Sequence, residues 1–243
     1  MSENDAALAA RLAEEAGRLL LDLRNEGALE GKALGTEGDR IANSFLIGAL
    51  NRERPDDAIL SEEEKDSPAR LSASRVWIID PLDGTREYGE GREDWAVHVA
   101  LAIDGSVTDG AVALPAIGLT LGSGQPAAVP PHNGRLRMLV SRTRPPAEAL
   151  AVAEKLDAEL VPMGSAGAKA MAVVRGLADI YLHAGGQYEW DNAAPVAVVQ
   201  ASGLHASRID GSQLTYNNAN PYLPDLLICP EALVDRVMEA LGS

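Results

Sequence analysis

The sequence predicts an α/β protein whose chain breaks into two parts near residue 130. Three observations predict it. A long helical pattern opens the chain. A strictly alternating strand at 95–103 runs into a tight hairpin. Beyond a stretch rich in Gly, Pro and Ala, short apolar runs and helical patterns follow one another in turn.

Residues 5–24 place Leu8, Leu12, Ala16, Leu19, Leu20 and Leu23 at helical spacing, with Asn4 or Asp5 as the cap. Gly27 to Gly38 reads as a glycine-rich loop, which puts Asp39 at the N-cap of a second amphipathic helix carrying Ile41, Phe45 and Leu50. Ala58-Ile59-Leu60 reads as a short strand that delivers Glu62. Trp95, Val97, Val99, Leu101 and Ile103 alternate with Ala96, His98, Ala100 and Ala102, so both faces of that strand are apolar. Asp104-Gly105 is its hairpin turn, and Ala111 to Leu114 continues the sheet. His98 reads as a packed, hydrogen-bonded histidine, and His132 and His205 lack the spacing of metal ligands. Gly122 to Gly134 divides the chain. After it come a strand at 136–140, a loop at 141–146, a helix at 147–157 and a strand ending near Met163. A helix opened by Gly164-Ser165, a strand at 178–182, a helix at 190–201, a strand at 226–229 and a helix at 231–241 complete the chain.

The most informative stretch is Trp77-Ile78-Ile79-Asp80-Pro81-Leu82-Asp83-Gly84-Thr85. Its apolar run is a buried strand, and Pro81, with no N–H to give a ladder, is expected to stop it and turn the chain. Asp80 then stands at the strand end and Asp83 on the turn. Two carboxylates so placed repel unless a cation lies between them. A hard divalent cation, which prefers oxygen ligands, is the simplest partner. A plain turn would account for Asp-Gly alone. It would not account for the second acid, or for Glu62-Glu63 upstream, although Glu62 to Asp66 also fits a solvated run of charge.

Composition bounds the rest. The chain has 243 residues, 46% of them hydrophobic and 23% charged, enough for a sizeable core. A net charge of −15 argues against long nucleic acids as partners, but not against a small anionic substrate reached through bound cations. The one cysteine, Cys229, sits in an apolar run and reads as a core residue. No apolar run approaches a membrane span and the N-terminus lacks a signal-peptide pattern, so a cytoplasmic protein is expected.

Asp80-Pro-Leu-Asp-Gly-Thr85, with Ser61-Glu62-Glu63 before it and Trp190-Asp191 after it, resembles the inositol monophosphatase-like superfamily of Mg²⁺-dependent, lithium-sensitive phosphatases. The resemblance implies a layered αβαβα sandwich. Its α+β half would span 1–130 and carry most metal ligands, and its α/β half 131–243, with homodimers usual. It implies two or three Mg²⁺ ions held by Glu62, Asp80, the Leu82 carbonyl, Asp83 and Asp191. Thr85 and Glu62 would position and activate the attacking water, with Asp39 near a third, weaker ion. Ala33-Leu34-Gly35-Thr36 stands where the family usually has Asp-Leu-Val-Thr, which removes one acid from that neighbourhood. The N–H groups of Gly84 and Thr85 would meet phosphate.

Within the superfamily, three features resemble the CysQ-type 3′(2′),5′-bisphosphate nucleotidases. They are Arg86-Glu87-Tyr88 after the Asp-Gly-Thr motif, Gly164-Ser165-Ala166-Gly167-Ala168-Lys169, and Trp190-Asp191-Asn192-Ala193-Ala194-Pro195. The implied substrate is adenosine 3′,5′-bisphosphate (PAP) or a related nucleotide such as PAPS, in sulfate assimilation. Ser141, Arg142, Ser165 and Lys169 would contact it, although Lys169 also fits a solvated helix position. His183 lies where inositol enzymes carry a glutamate, which weakens an inositol reading. Inositol 1-phosphate and fructose 1,6-bisphosphate, or broad sugar-phosphate activity, are the alternative. A non-catalytic sensor of phosphorylated metabolites is the alternative of another class.

Overall fold

The computed structural model of the chain describes residues 3–242; residues 1, 2 and 243, the ends of the two expected halves and part of the N-terminal segment, lie outside them. Helix α1 (Asp5–Glu26) is capped by Asn4, whose side chain accepts from the Ala7 N–H, and ends at Gly27 in the left-handed region. Helix α2 (Gly31–Glu53) begins earlier than its glycines suggest. Residues 31–38 are helical, and Asp39 lies inside the helix rather than at its cap. Packing supplies the reason. A Cβ at Gly35 would sit 2.7 Å from the Thr85 methyl, and one at Gly38 3.0 Å from Leu20, Leu82 and Tyr88. Each glycine costs the helix about 1 kcal/mol of propensity, and in exchange the helix lies directly against the Asp80–Thr85 segment.

Strand β1 (Ala58–Ser61) pairs in parallel with β2 (Arg75–Asp83). β2 does not stop at Pro81. It continues to Asp83 through a bulge, with Asp80 opposite His98 but Asp83 opposite Ala96. An imide fits there because the ladder is already interrupted. Gly84, at φ 89°, opens the single-turn α3 (Thr85–Gly89). β3 (Ala96–Ile103) and β4 (Ser106–Leu114) form the expected hairpin, with positive φ at both Asp104 and Gly105. β5 (Leu119–Gly122), which is short and lacks a recognisable pattern, completes a sheet ordered β1-β2-β3-β4-β5.

The second sheet follows. β6 (Arg137–Ser141), α4 (Ala147–Lys155), β7 (Glu159–Met163), α5 (Ala166–Val174), β8 (Ile180–Ala184) and α6 (Glu189–Ala201) alternate as expected. β9 (His205–Ser207), β10 (Asp225–Cys229) and α7 (Val234–Gly242) close the chain. The strand order is β7-β6-β8-β10-β9, and β8 starts two residues later than the apolar run that announces it.

Three apolar clusters define five layers. Leu8, Leu12 and Leu20 of α1 and Leu46 and Leu50 of α2 bury one face of the first sheet against Trp77, Ile79, Val97, Val99 and Leu101. The other face, rich in alanine, meets α5 and α6. Small residues are required there: a Cβ at Gly110 of β4 would come 2.8 Å from the Ala197 methyl of α6. The far side of α5 and α6 covers the second sheet through Leu139, Tyr181, Leu226 and Ile228, and α4 and α7 cover its outer face. The result is an αβαβα sandwich, and Cys229 is in its core. Among the described residues, no helix is long and apolar enough to cross a membrane.

Candidate active site

The bulge at the end of β2 aims Asp80 and Asp83 into the same space. The Asp80 carboxyl accepts from the Leu82 N–H at 3.0 Å, which holds the bulge open. Asp83 is gripped by the start of α5: the Ser165 hydroxyl and the Gly167 N–H donate to one oxygen and the Ala166 N–H to the other. A helix N-terminus is a ready anion site, and here a side chain of the same protein fills it. Nε2 of His98 lies 3.1 Å from the same carboxylate, off the line of an ideal hydrogen bond, while Nδ1 faces the Trp190 carbonyl at 3.0 Å. Burial alone would raise the Asp83 carboxyl, but the adjacent His98 charge, the Ser165 hydroxyl and Lys169 pull it down to about 2. Asp191 is the third residue of α6 rather than its cap; its Oδ2 accepts from the Tyr188 N–H at 2.7 Å.

Among the described residues, Asp80, Asp83 and Asp191 each offer an oxygen, and these oxygens all lie within 4.8 Å of one another. Asp80 is 1% exposed and is held well above the carboxylate range, first by burial and then by the charges of Glu62, Asp83 and Asp191. Asp191 is pushed up to about 7 by burial and by Asp83. An all-oxygen donor set whose members repel one another fits a hard divalent cation.

The remaining expected residues ring this cluster. Glu62 is exposed as a residue, yet its carboxyl reaches Asp80. Burial of the carboxyl raises it to about 7; a hydrogen bond shared with Asp80 opposes the rise and the charges of Glu63, Asp83 and Asp39 add to it. Asn43 of α2 fixes the Glu62 loop, accepting from Ser61 and donating to Glu64, each at 2.8 Å. The Thr85 hydroxyl lies 3.1 Å from the Leu82 carbonyl and 3.4 Å from Asp39. One hydroxyl proton cannot serve both acceptors. An Asp39 that keeps its own proton can donate instead, and burial with the Glu63 charge does push Asp39 up to about 7.

The expected substrate contacts divide. Ser165 is spent on Asp83 and also accepts from the Ala168 N–H. Lys169 is not a solvated helix residue: it is 5% exposed, donates to the Gly164 and Ser165 carbonyls, and lies over the Tyr181 ring. Arg142 reaches Glu87 at 2.8 Å and Glu90 at 2.9 Å, bringing the Ser141–Arg142 loop against α3, while Ser141 accepts from the Arg144 N–H.

Two features escape the sequence. One is His98 as a neighbour of Asp83. The other is a tie between the loops that carry the acids. Arg70, 2% exposed, binds Asp66 downstream of Glu62 and also the Asn217 side chain and Asn218 carbonyl. Those asparagines donate in turn to Glu189, two residues before Asp191.

The model of the inositol monophosphatase family matches residues 2–240. The chain belongs to the inositol monophosphatase family. Two relatives named 3′-phosphoadenosine 5′-phosphate phosphatase are similar to this family member over nearly its whole length. The Mycobacterium leprae protein is 55% identical over 93% of this chain and 89% of its own. The Mycobacterium tuberculosis protein is 56% identical over 94% and 90%. Among solved structures of the family fold, CysQ from Bacteroides thetaiotaomicron superposes with a TM-score of 0.79 at 22% identity, covering 92% of this chain and 96% of that one.

The charge balance of the site predicts a pH effect. Without a cation, Asp39, Glu62 and Asp191 titrate near 7 rather than near 4, so between those values the folded protein holds more protons than the unfolded chain. Stability in EDTA is therefore expected to fall as pH rises from about 4 to about 7. Added Mg²⁺ should raise the unfolding temperature most at the upper end of that window. Thermal unfolding from pH 5 to 8, with and without Mg²⁺, checks both the slope and its reversal.

Proposed function

We propose that the chain is a Mg²⁺-dependent phosphatase that removes the 3′-phosphate of adenosine 3′,5′-bisphosphate and related nucleotides such as PAPS, as part of cytoplasmic sulfate assimilation. The observation that carries it is the cluster of Asp80, Asp83 and Asp191, with Glu62, Thr85 and Asp39 on its rim. The substrate comes from the relatives that are more than half identical to it. Asp80, Asp83, Asp191, Glu62 and the Leu82 carbonyl would hold the cations. Cations held there would supply polarisation of the phosphoryl oxygens and a lowered pKa for water.

The chain's own groups do the rest. Thr85 orients the attacking water, its hydroxyl set by Leu82 and Asp39. Glu62, whose carboxyl reaches Asp80 at the edge of the cluster, takes the water's proton. Ser165 serves indirectly, by holding Asp83. Lys169 adds positive charge behind the α5 start, and Gly84 and the Arg142 loop border the phosphate. The aromatic surface beside Asp191 favours a nucleotide over inositol. Tyr188 stacks on Trp190 with centroids 4.9 Å apart and meets Tyr222 edge-on at 5.4 Å, and Tyr188 and Tyr222 are 39% and 43% exposed. Such rings offer a purine a flat π-face to stack on.

The test is phosphate release with Mg²⁺ from adenosine 3′,5′-bisphosphate, inositol 1-phosphate and fructose 1,6-bisphosphate at equal concentrations. We expect the nucleotide to be preferred by ~100-fold or more in kcat/KM, about 2.7 kcal/mol of differential transition-state binding. Comparable rates on all three would leave a phosphatase and remove the nucleotide assignment.

A further inference from the structure

We infer that His98 is a positioning residue that sets the spacing between Asp83 and Asp191. The inference rests on reading the carboxylate cluster as a divalent-cation site. His98 stands mid-strand in β3 and is wholly buried. One ring nitrogen faces Asp83, and the other faces the carbonyl of Trp190, the residue immediately before Asp191. Both neighbours are acceptors: Nδ1 lies 3.0 Å from the carbonyl, and Nε2 lies 3.1 Å from the carboxylate without the angle of a hydrogen bond. Asp83 belongs to the first sheet and Asp191 to a helix between the sheets. Ser165, Ala166 and Gly167 of α5 also hold Asp83, but His98 reaches both Asp83 and the α6 backbone beside Asp191; apolar packing by itself does not specify distance to the few tenths of an ångström that ion ligands require. A rigid planar ring wedged between the two does.

The surroundings are cut to fit it. A Cβ at Gly167 would fall 2.0 Å from Nε2 and 3.0 Å from Cδ2, so the second residue of α5 is bare where the ring lies. The same Gly167 donates its N–H to Asp83 at 2.6 Å. Groups that orient metal ligands from behind typically govern affinity by 10- to 100-fold.

Three variants separate the two arms. His98→Asn retains a donor near the Trp190 carbonyl, His98→Gln retains one near Asp83, and His98→Leu retains neither. A bridge needs both arms, so all three are expected to weaken Mg²⁺ binding, measured by calorimetry, by ~10-fold or more. The KM for adenosine 3′,5′-bisphosphate at saturating Mg²⁺ should stay within about two-fold, because no substrate contact is removed. Mg²⁺ affinity unchanged in a variant folded by circular dichroism would overturn the bridge and leave His98 as packing alone. Should all variants fail to fold, the unsubstituted protein decides: the ¹⁵N signals of the His98 ring, assigned by replacing the other three histidines, should move on adding Mg²⁺. Signals that stay still overturn the inference. An unsubstituted protein that binds no Mg²⁺ overturns the cation reading itself, a result distinct from either.

Discussion

Glu62→Gln is expected to lower phosphate release from adenosine 3′,5′-bisphosphate by ~10³-fold or more, about 4 kcal/mol of lost transition-state stabilisation. The substitution conserves size and the reach toward Asp80. It removes the negative charge and the site that accepts a proton. In the unsubstituted protein the Glu62 and Asp80 carboxyls share a hydrogen bond, and an amide can still donate to Asp80. The fold should therefore persist, and in EDTA the variant should be no less stable than its parent, since one member of a mutually repelling cluster has become neutral. The measurement is kcat on the nucleotide beside thermal unfolding in EDTA. A loss of less than about tenfold in a folded variant would remove Glu62 from the chemistry and turn attention to Asp39, the other rim carboxyl, which lies 3.4 Å from the Thr85 hydroxyl. A protein that merely senses phosphorylated metabolites would show no turnover before the substitution either, so the parent's rate separates that reading from an enzyme.

How much of this is legible in the sequence depends on whether a signal is local. The β2 run, the Asp104-Gly105 hairpin and the alternation of β3 are local, and they stand where the pattern puts them. The start of α2 is not local. Glycine is read as loop because it disfavours helix, but Gly35 and Gly38 are glycine because of what lies across from them, Thr85 and Leu82 fifty and forty-four residues on. The same misreading moves Asp39 from a helix cap into a helix interior facing Thr85. Pro81 misleads in the opposite sense, since a bulge accepts the imide that a regular ladder would reject.

The acids of the site are legible because their motif is compact: Asp80 and Asp83 are three residues apart, and a bulge or a turn brings them together equally well. Asp191 becomes visible only through resemblance, as nothing near it in the chain calls for a partner over a hundred residues away. His98 carries the least signal. A histidine among alanines on a buried strand is what core packing also yields, and its relation to Asp83 depends on the register of β2 against β3 and on the depth at which α5 and α6 sit. Lys169 shows the limit from the other side. Its place on a helix suggests solvent, but every residue of α5 is buried, because that helix lies between two sheets.

Gly167→Ala tests that sandwiched geometry. Alanine improves helix propensity by up to about 1 kcal/mol, and on an exposed helix that gain would decide the sign. Here the new carbon would lie 2.0 Å from His98 Nε2 and 3.1 Å from the Ala96 methyl. The ring is wholly buried on a central strand and has no solvent to swing into. Either α5 lifts away or the ring is displaced. Overpacking of this kind costs about 1–3 kcal/mol or more, so the net change is expected to be a loss of about 1–2 kcal/mol, or roughly 2–8 °C in Tm for a domain of this size. Activity should fall further than stability. Lifting α5 draws Ser165, Ala166 and Gly167 off Asp83, and a displacement near 1 Å costs ~10²-fold in rate. The double variant Gly167→Ala with His98→Ala distinguishes the two effects. Removing the ring relieves the overlap and should return most of the stability, while the rate stays low because the Asp83–Trp190 link is gone. Full recovery of both would mean that the ring only fills space; recovery of stability alone places its contribution at the carboxylates.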